Sequence, residues 1–380
     1  MKLGVDIRVL MDKQYSGIAD YTSILLRTIL EKNTEDEFSL FYNSFADCSS
    51  RIGKFNHQNL KVKKLAYPNK LFNYGLQSLL AQPKIDKILG GVDVFWSPHF
   101  NFTRLSNKAK HVLTIHDLSF IRYPEFFNRR KNIWHRALRV KNLAKQASAI
   151  IAVSENTRQD VIELLDIDPE KVKTIYSGVN PVHSLPNNRE EKDFFKLHDL
   201  GSRFILYLGT IEPRKNLIGL IHAYNLFRNN NIKLVDVQLV LAGAKGWRNR
   251  DIFQAWEDSP YRHDIKFLGY VSNSEKELLY KRAELFVYPS YYEGFGLPVL
   301  EAMDRGLAVI TSNVSSIPEV VAESAIMLNP YDISEIAKAL ELLISDDDLK
   351  LSLVESGLKR AQEFSWEKTA EQYLHLFKNL

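Results

Sequence analysis

Ser290-Tyr291-Tyr292-Glu293-Gly294-Phe295-Gly296-Leu297-Pro298-Val299-Leu300-Glu301-Ala302-Met303 follows directly on the apolar run Leu285-Phe286-Val287-Tyr288-Pro289. The run has the length and composition of a buried strand, and the glycines open a turn after it. Pro298 suits the first turn of a helix, where its missing N–H would be unpaired in any case. Gly296 and Leu297 are therefore expected to present free amides at a helix start, a place where anions bind. Glu293 precedes the turn and Glu301 follows inside the helix. Such a strand-to-helix turn suits a ligand with both phosphate and hydroxyl groups. The plainer alternative is a tight loop with two solvated acids.

Working outward, the same alternation repeats on both sides. Strands are expected at Phe204–Leu208, Gln238–Ala242, Lys266–Leu268 and Val309–Thr311. They end at Gly209-Thr210, Gly243, Gly269-Tyr270-Val271 and Ser312. Toward the N-terminus, strands are expected at Lys2–Val9, Glu37–Tyr42, Lys61–Ala66, Val92–Trp96, His111–Ile115 and Ala149–Val153. Helices follow at Tyr21–Glu31 and, behind the N-cap Ser154, at Glu155–Leu165. This is the pattern of doubly wound parallel sheets, which bind ligands beyond the carboxyl ends of their strands. The Pro/Asn-rich and charged stretch 180–200 reads as a linker. The fold class is α/β, with two Rossmann-like domains expected to face each other across a cleft. Their bounds are 1–185 and 186–365, and a last helix in 366–380 is expected to pack back on the first domain.

At 380 residues the chain exceeds one ordinary core. A hydrophobic content of 45% and a charged content of 25% are those of a globular protein. The single cysteine, Cys48, excludes an intrachain disulfide and a Cys-rich metal site. Charge begins by Lys2 and Asp6, so no leader is expected, and no apolar run reaches the roughly 18 residues of a membrane span. A cytoplasmic protein follows. The net charge of +4 is uneven: the first 180 residues are basic and the remainder acidic, which points one half toward an anionic partner.

Arg214-Lys215, in Thr210-Ile211-Glu212-Pro213-Arg214-Lys215-Asn216, stand at a helix start, where cations oppose the helix dipole unless an anion joins them. His116 closes a strand and is placed to bind a hydroxyl or move a proton; His99 is a weaker case of the same kind. Asp166-Ile167-Asp168 reads as a solvated loop and Asp346-Asp347-Asp348 as a helix cap. No cluster has metal-ligand spacing, and neither a P-loop nor a nucleophile elbow is present. The stretch Phe126–Lys141 mixes Arg129, Arg130, Lys131, Arg136, Arg139 and Lys141 with Phe126, Phe127 and Trp134. It reads as an interfacial helix for an anionic membrane or as an ordinary amphipathic helix. Lys61–Lys64 with Lys70-Leu71-Phe72 forms a second basic patch. No base-stacking motif marks nucleic acid as a partner.

Together these residues resemble the retaining glycosyltransferase family 4, of GT-B fold. Glu293 and Glu301 match its E-x7-E signature, and Ser315-Ser316-Ile317-Pro318-Glu319-Val320 the turn that follows. Gly209–Asn216 is similar to its phosphate-binding turn, Ser16-Gly17-Ile18-Ala19-Asp20-Tyr21 to its first-domain glycine loop, and Thr114-Ile115-His116-Asp117 to its cleft histidine. The resemblance implies a nucleotide-sugar donor, no metal or other cofactor, and transfer onto a lipid-linked or saccharide acceptor in surface polysaccharide synthesis. By it, Arg214 and Lys215 neutralise the diphosphate. Glu293 holds the sugar hydroxyls, and the amides around Phe295, Gly296 and Leu297 hold sugar and phosphate. Glu301 takes the ribose, and Tyr270 and Val271 lie near the base. His116 touches the sugar and Gly17 admits the phosphates, so His116 and Glu293 are the implied catalytic residues. Thr210 stands where many members carry an arginine. The Thr-x-Glu-Pro-Arg-Lys-Asn form is similar to the O-antigen mannosyltransferases, which points to GDP-mannose. The alternatives are a UDP- or dTDP-sugar transferase, a sugar-nucleotide 2-epimerase of the same architecture, or a binding protein without turnover. The basic helix implies peripheral attachment at the inner face of the plasma membrane.

Overall fold

The computed structural model describes residues 1–11, 17–55, 57–68, 72–73, 75, 83–231 and 236–380. Gln14, Tyr15 and Ser16 of the expected glycine loop, and Lys70-Leu71 of the second basic patch, lie outside the described residues. The chain divides into two compact units. The first comprises Met1–Ile121, Arg130–Gly178 and Ser365–Leu380; the second comprises Arg122–Arg129 and Val179–Phe364.

In the first unit, among the described residues, seven parallel strands form one sheet. They are β1 (Lys2–Asp6), β2 (Glu37–Asn43), β3 (Leu60–Leu65), β4 (Val94–Ser97), β5 (Lys110–Ile115), β6 (Ala149–Ala152) and β7 (Val172–Thr174). Their order is β3-β2-β1-β4-β5-β6-β7. In the second unit β8 (Arg203–Leu208), β9 (Val237–Ala242), β10 (Ile265–Gly269), β11 (Leu285–Tyr288), β12 (Val309–Ser312) and β13 (Ile326–Leu328) pair in the order β10-β9-β8-β11-β12-β13. Central strands such as β4, β6, β11 and β12 are buried along their whole length. That is why they read as continuous apolar runs rather than as alternating ones. Strand order reverses between β1 and β4 and again between β8 and β11. Each reversal opens a crevice at the carboxyl ends of its strands.

The C-terminal helix Trp366–Lys378 packs on the first unit against the helix Gly17–Lys32. A buried chain of hydrogen bonds fixes it. Tyr373 Oη lies 2.7 Å from Tyr21 Oη and 2.8 Å from Thr114 Oγ1, and Trp96 Nε1 donates to Thr114 Oγ1 at 3.0 Å. Gly178 permits the close approach: a Cβ there would lie 2.2 Å from the Trp366 amide nitrogen.

Several expectations are corrected. The first strand ends at Asp6 rather than Val9, and Arg8–Met11 turn into a 3-10 helix. The first helix starts at Gly17, not Tyr21. The unit boundary falls after Gly178 instead of 185. The stretch 180–200 is not linker throughout: it contains the helix Asn188–Leu197, whose Asn187 and Glu190 form a capping box. Capping residues are also loop residues, which hides such a helix in the sequence. The short strands β7 and β13 were not expected. Phe126–Lys141 is not one helix: Arg129–Leu138 and Val140–Gln146 are separated by Arg139 in the left-handed region at φ 49°.

The Tyr373 network yields a stability test. Tyr373→Phe leaves two buried hydroxyls short of a partner, at a cost of about 1–3 kcal/mol. Thermal denaturation should show the loss, and an unchanged melting temperature would refute the network's role.

Candidate functional site

In the second unit the crevice between β8 and β11 gathers the charged residues of both loops. β8 runs into Gly209, which packs so closely on Gly243 that a Cβ on Gly243, at φ +147°, would lie 1.9 Å from the Gly209 carbonyl oxygen. The chain then makes the 3-10 turn Pro213–Lys215. Asn216, left-handed at φ 56°, ends that turn and caps the next helix by accepting from the Gly219 amide. Lys215 and Arg214 both reach Glu293. Lys215 Nζ donates to Glu293 Oε1 at 2.6 Å and to the Tyr288 hydroxyl at 2.6 Å. Arg214 Nη1 donates to Glu293 Oε2 at 2.9 Å and to the Tyr292 carbonyl at 2.6 Å. Its Nε donates to the buried Glu212 at 3.1 Å.

The backbone of Glu293 is held as firmly as its side chain. Its amide donates to Ser315 Oγ at 2.9 Å, and its carbonyl accepts from Ser316 Oγ at 3.0 Å. Burial opposes the charge on Glu293, but the positive Arg214 and Lys215 outweigh it and hold the carboxyl at about 2. Burial, with the neighbouring Arg214 charge, pushes Lys215 below the ordinary lysine value. The helix Leu297–Asp304 starts at Gly296, whose φ of 99° requires glycine.

Glu301 is buried and fully engaged. Its Oε1 accepts from Asn180 Nδ2 at 2.7 Å and Lys276 Nζ at 3.1 Å, and its Oε2 accepts from the Tyr280 hydroxyl at 2.9 Å. The alternative of two solvated acids therefore fails for both glutamates. Thr210 is exposed, and its carbonyl accepts from the Tyr207 hydroxyl. Tyr270 is exposed and Val271 half-buried, just beyond Gly269 at φ +76°. The Phe295 ring is buried against Phe364, so only its main chain is left for a ligand, and Leu297 is half-buried.

One supporting element escaped the sequence reading. The segment Arg122–Arg129 belongs to the second unit. Phe126 stacks on Tyr291 at 5.7 Å, Tyr123 lies 5.6 Å from Tyr292, and Phe127 stacks on Trp247 at 5.4 Å. Trp247 Nε1 donates to the Phe126 carbonyl at 2.7 Å. This strap buttresses the two tyrosines directly before Glu293. Phe126 and Phe127 are thus packing residues and not part of a membrane face. Pro124 was the available signal that they precede the helix.

In the first unit His116 follows β5. Its Nε2 donates to the Pro98 carbonyl at 2.8 Å, and Tyr21 meets its ring edge-on at 4.7 Å. Burial lowers its pKa to about 4, against the opposing effects of that hydrogen bond and of Asp117. A neutral ring that donates from Nε2 keeps Nδ1 as an acceptor. Its neighbour His99, 6.1 Å away, is lowered to about 3 by burial and by His116, and its buried Nδ1 has no partner among the described residues. Gly17 opens its helix with no described atom within 4 Å of where a Cβ would stand and with no left-handed φ, so local packing does not demand glycine there. Asp166 pairs with Lys145 at 2.9 Å, and no group of three potential metal ligands occurs among the described residues.

Residues 188–360 match the family described as Glycosyl transferases group 1, and residues 48–183 match Glycosyltransferase Family 4. The O-antigen chain mannosyltransferase B of Escherichia coli is 32% identical, with 96% of each chain covered. The serotype-specific mannosyltransferase WbdA of Escherichia coli is 34% identical over 97% of this chain, which spans 47% of that relative. Among solved structures, sucrose-phosphate synthase from Thermosynechococcus elongatus superposes with a TM-score of 0.74 at 18% identity, covering 100% of this chain and 98% of the other. That likeness shows the fold, two parallel-sheet α/β units of the GT-B kind.

The buried histidines set a pH dependence. Folded His99 and His116 take up protons only near pH 3 and 4, whereas their ordinary value is 6.5. Between these values the unfolded chain binds more protons, so stability falls as pH drops from 6.5 to about 4. The carboxyl of Glu293 acts lower: its contribution is present above its ordinary 4.5 and is lost as pH falls toward 2. Melting temperature should therefore decline between pH 6.5 and 4. Buried His111 and half-buried His135 are lowered to about 4 as well, so a His99→Asn, His116→Asn double variant should make that limb shallower and leave the lower one; an unaltered limb would contradict the assignment.

Proposed function

Because the chain belongs to the family 4 glycosyltransferases, we propose that it transfers mannose from GDP-mannose, with retention, onto a saccharide or lipid-linked acceptor in surface polysaccharide synthesis. The observation that carries this reading is the convergence of Arg214 and Lys215 on Glu293, in front of the helix start at Gly296. Arg214 and Lys215 share Glu293, Arg214 is paired with Glu212 as well, and helix amides lie close by in sequence. A diphosphate draws both cations and the amides to its oxygens. The names of the relatives matched along nearly the whole chain support mannose and O-antigen chains.

The chemistry needs charge stabilisation more than proton transfer. As the bond from the anomeric carbon to the diphosphate breaks, negative charge grows on the leaving oxygen. Arg214, Lys215 and the amides of the Gly296 turn are already in place to meet it, and preorganised donors of this kind are the strongest catalytic device available. Glu293 remains ionised at neutral pH and accepts from sugar hydroxyls, which fixes the ring without removing a proton from it. Neutral His116 accepts a sugar hydroxyl at Nδ1. Glu301, oriented by Asn180, Lys276 and Tyr280, takes the ribose hydroxyls, while Tyr270 and Val271 border the base. Retention follows if the acceptor hydroxyl attacks from the face of the departing phosphate, whose oxygen takes the proton. With Arg214 and Lys215 on the diphosphate, no metal is required.

Lys215→Ala should lower kcat by at least about a hundredfold with donor still bound, as expected for one lost transition-state contact. Full activity should persist in EDTA. Wild-type turnover by the variant would remove Lys215 from the mechanism, and EDTA inactivation rescued by a divalent ion would remove the metal-free assignment.

We also propose that the first unit docks on anionic membrane through Arg130, Arg136, Arg139 and Lys141 around the exposed Ile133. Among the described residues no helix is long and apolar enough to cross a membrane. Each basic residue near such a surface is worth about 1 kcal/mol. Vesicles containing phosphatidylglycerol should therefore retain the protein at low salt, and an Arg130→Glu, Arg136→Glu variant should release it. Equal binding to neutral vesicles would refute this.

A further inference from the structure

Beside Glu293 the second unit carries a row of aromatic rings that the charge chemistry of the site does not use. Tyr123 stacks on Phe126 at 5.5 Å between centroids, Phe126 on Tyr291 at 5.7 Å, and Tyr291 on Tyr331 at 4.7 Å. All four residues belong to the second unit. The first three are half-buried, whereas Tyr331, at the end of the row, is 64% exposed. One face of its ring lies on Tyr291, and the other meets no second ring among the described residues.

The backbone beneath Tyr331 is fixed, and it is fixed to the site. Asn329 follows β13, and its Oδ1 accepts from the Tyr331 amide at 3.0 Å. Asp332 caps the helix Ile333–Ser345 by accepting from the Glu335 amide at 3.0 Å. Between them, the Pro330 carbonyl accepts from the buried Asn216 Nδ2 at 2.6 Å. Asn216 ends the turn that carries Arg214 and Lys215. The Tyr291 amide donates to the Arg214 carbonyl at 2.9 Å, so both members of the outer stacked pair are tied to that one turn. A single exposed tyrosine needs no explanation. A ring held by its own backbone and by three rings behind it is different, because it loses little freedom when something stacks on it.

The open surface defines the class of ligand. An aromatic face is electron-rich, and the C–H groups on one side of a pyranose ring are its complement. Glu125 lies near enough to act on Tyr331: burial first, then Tyr123 and Glu125, hold the hydroxyl above its ordinary pKa, so the ring stays neutral. Glu125 is exposed and offers a carboxylate to sugar hydroxyls. One ring and one carboxylate make too small a patch for a protein partner, whose interface takes roughly 800 Å² of each surface.

We propose that Tyr331 is a stacking subsite for a glycan acceptor. It holds a sugar unit beyond the one that receives the transferred sugar, so the enzyme favours longer acceptors. The inference rests on the glycosyltransferase reading and goes beyond it, and it gives Tyr331 no part in the transfer step.

The test measures transfer from GDP-mannose by the full chain to methyl mannoside and to the methyl glycoside of a mannose tetrasaccharide. The wild type should have the higher kcat/KM with the tetrasaccharide. Tyr331→Ala should lower that value about fivefold through KM, the size of one lost ring contact, and leave methyl mannoside unaffected. Tyr331→Phe should match the wild type, because the ring face is what binds. GDP titrated by thermal shift shows that each variant is folded. A tetrasaccharide KM indifferent to Tyr331→Ala, an equal loss with both acceptors, or a Phe variant as impaired as the Ala variant would overturn the subsite and leave the transferase reading standing. If neither acceptor is mannosylated, calorimetry with the tetrasaccharide decides: binding by the wild type that Tyr331→Ala weakens supports the subsite, and equal binding or none overturns it. Absence of transfer from GDP-mannose and from UDP-sugars, with no thermal shift from GDP or UDP, would overturn the transferase reading itself.

Discussion

A single buried carboxylate, Glu293, holds the candidate site of this enzyme together. Lys215 and Arg214 are both drawn to it, at 2.6 and 2.9 Å, and without it Lys215 would lose its carboxylate partner and Arg214 would keep only Glu212. Desolvating even one unpaired charge costs several kcal/mol, so the cluster is stable only as a set. The surroundings serve that set. Ser315 and Ser316 pin the Glu293 backbone, Tyr288 gives Lys215 a second acceptor, and the strap Tyr123–Phe127 backs the loop from the far side in sequence.

The two parallel sheets explain why chemistry collects where it does. In each, the central strands are buried along their length, which leaves their ends as the accessible part. In each, the reversal of strand order keeps one crevice uncovered.

Much of this is legible in the chain itself, for reasons particular to certain residues. Fully buried strands such as Leu285–Tyr288 announce themselves as apolar runs ended by small or polar residues. The turn after Glu293 is readable because glycine at 296 and proline at 298 each have a backbone reason to be there. Elements with ordinary residues are not readable. Val172–Thr174 is a three-residue edge strand held by pairing with β6, and Asn188–Leu197 hides behind a capping box that reads as loop. Phe126 and Phe127 look like part of the basic helix because adjacency in sequence says nothing about which surface an aromatic ring covers.

The sequence by itself determined the alternation of strands and turns, the helix start at Gly296 and the residue types of the candidate site, because backbone geometry and apolar periodicity are local properties. Only the tertiary structure decided what those residues do to one another. It brought Glu293 to Lys215 across 78 positions of chain, fixed Glu301 among Asn180, Lys276 and Tyr280, neutralised His116 by burying it, and matched Arg8 to Asp6 in a pocket no motif marks. Charge state and pairing depend on which groups share a desolvated volume, and that is a property of the packed chain rather than of any stretch of it.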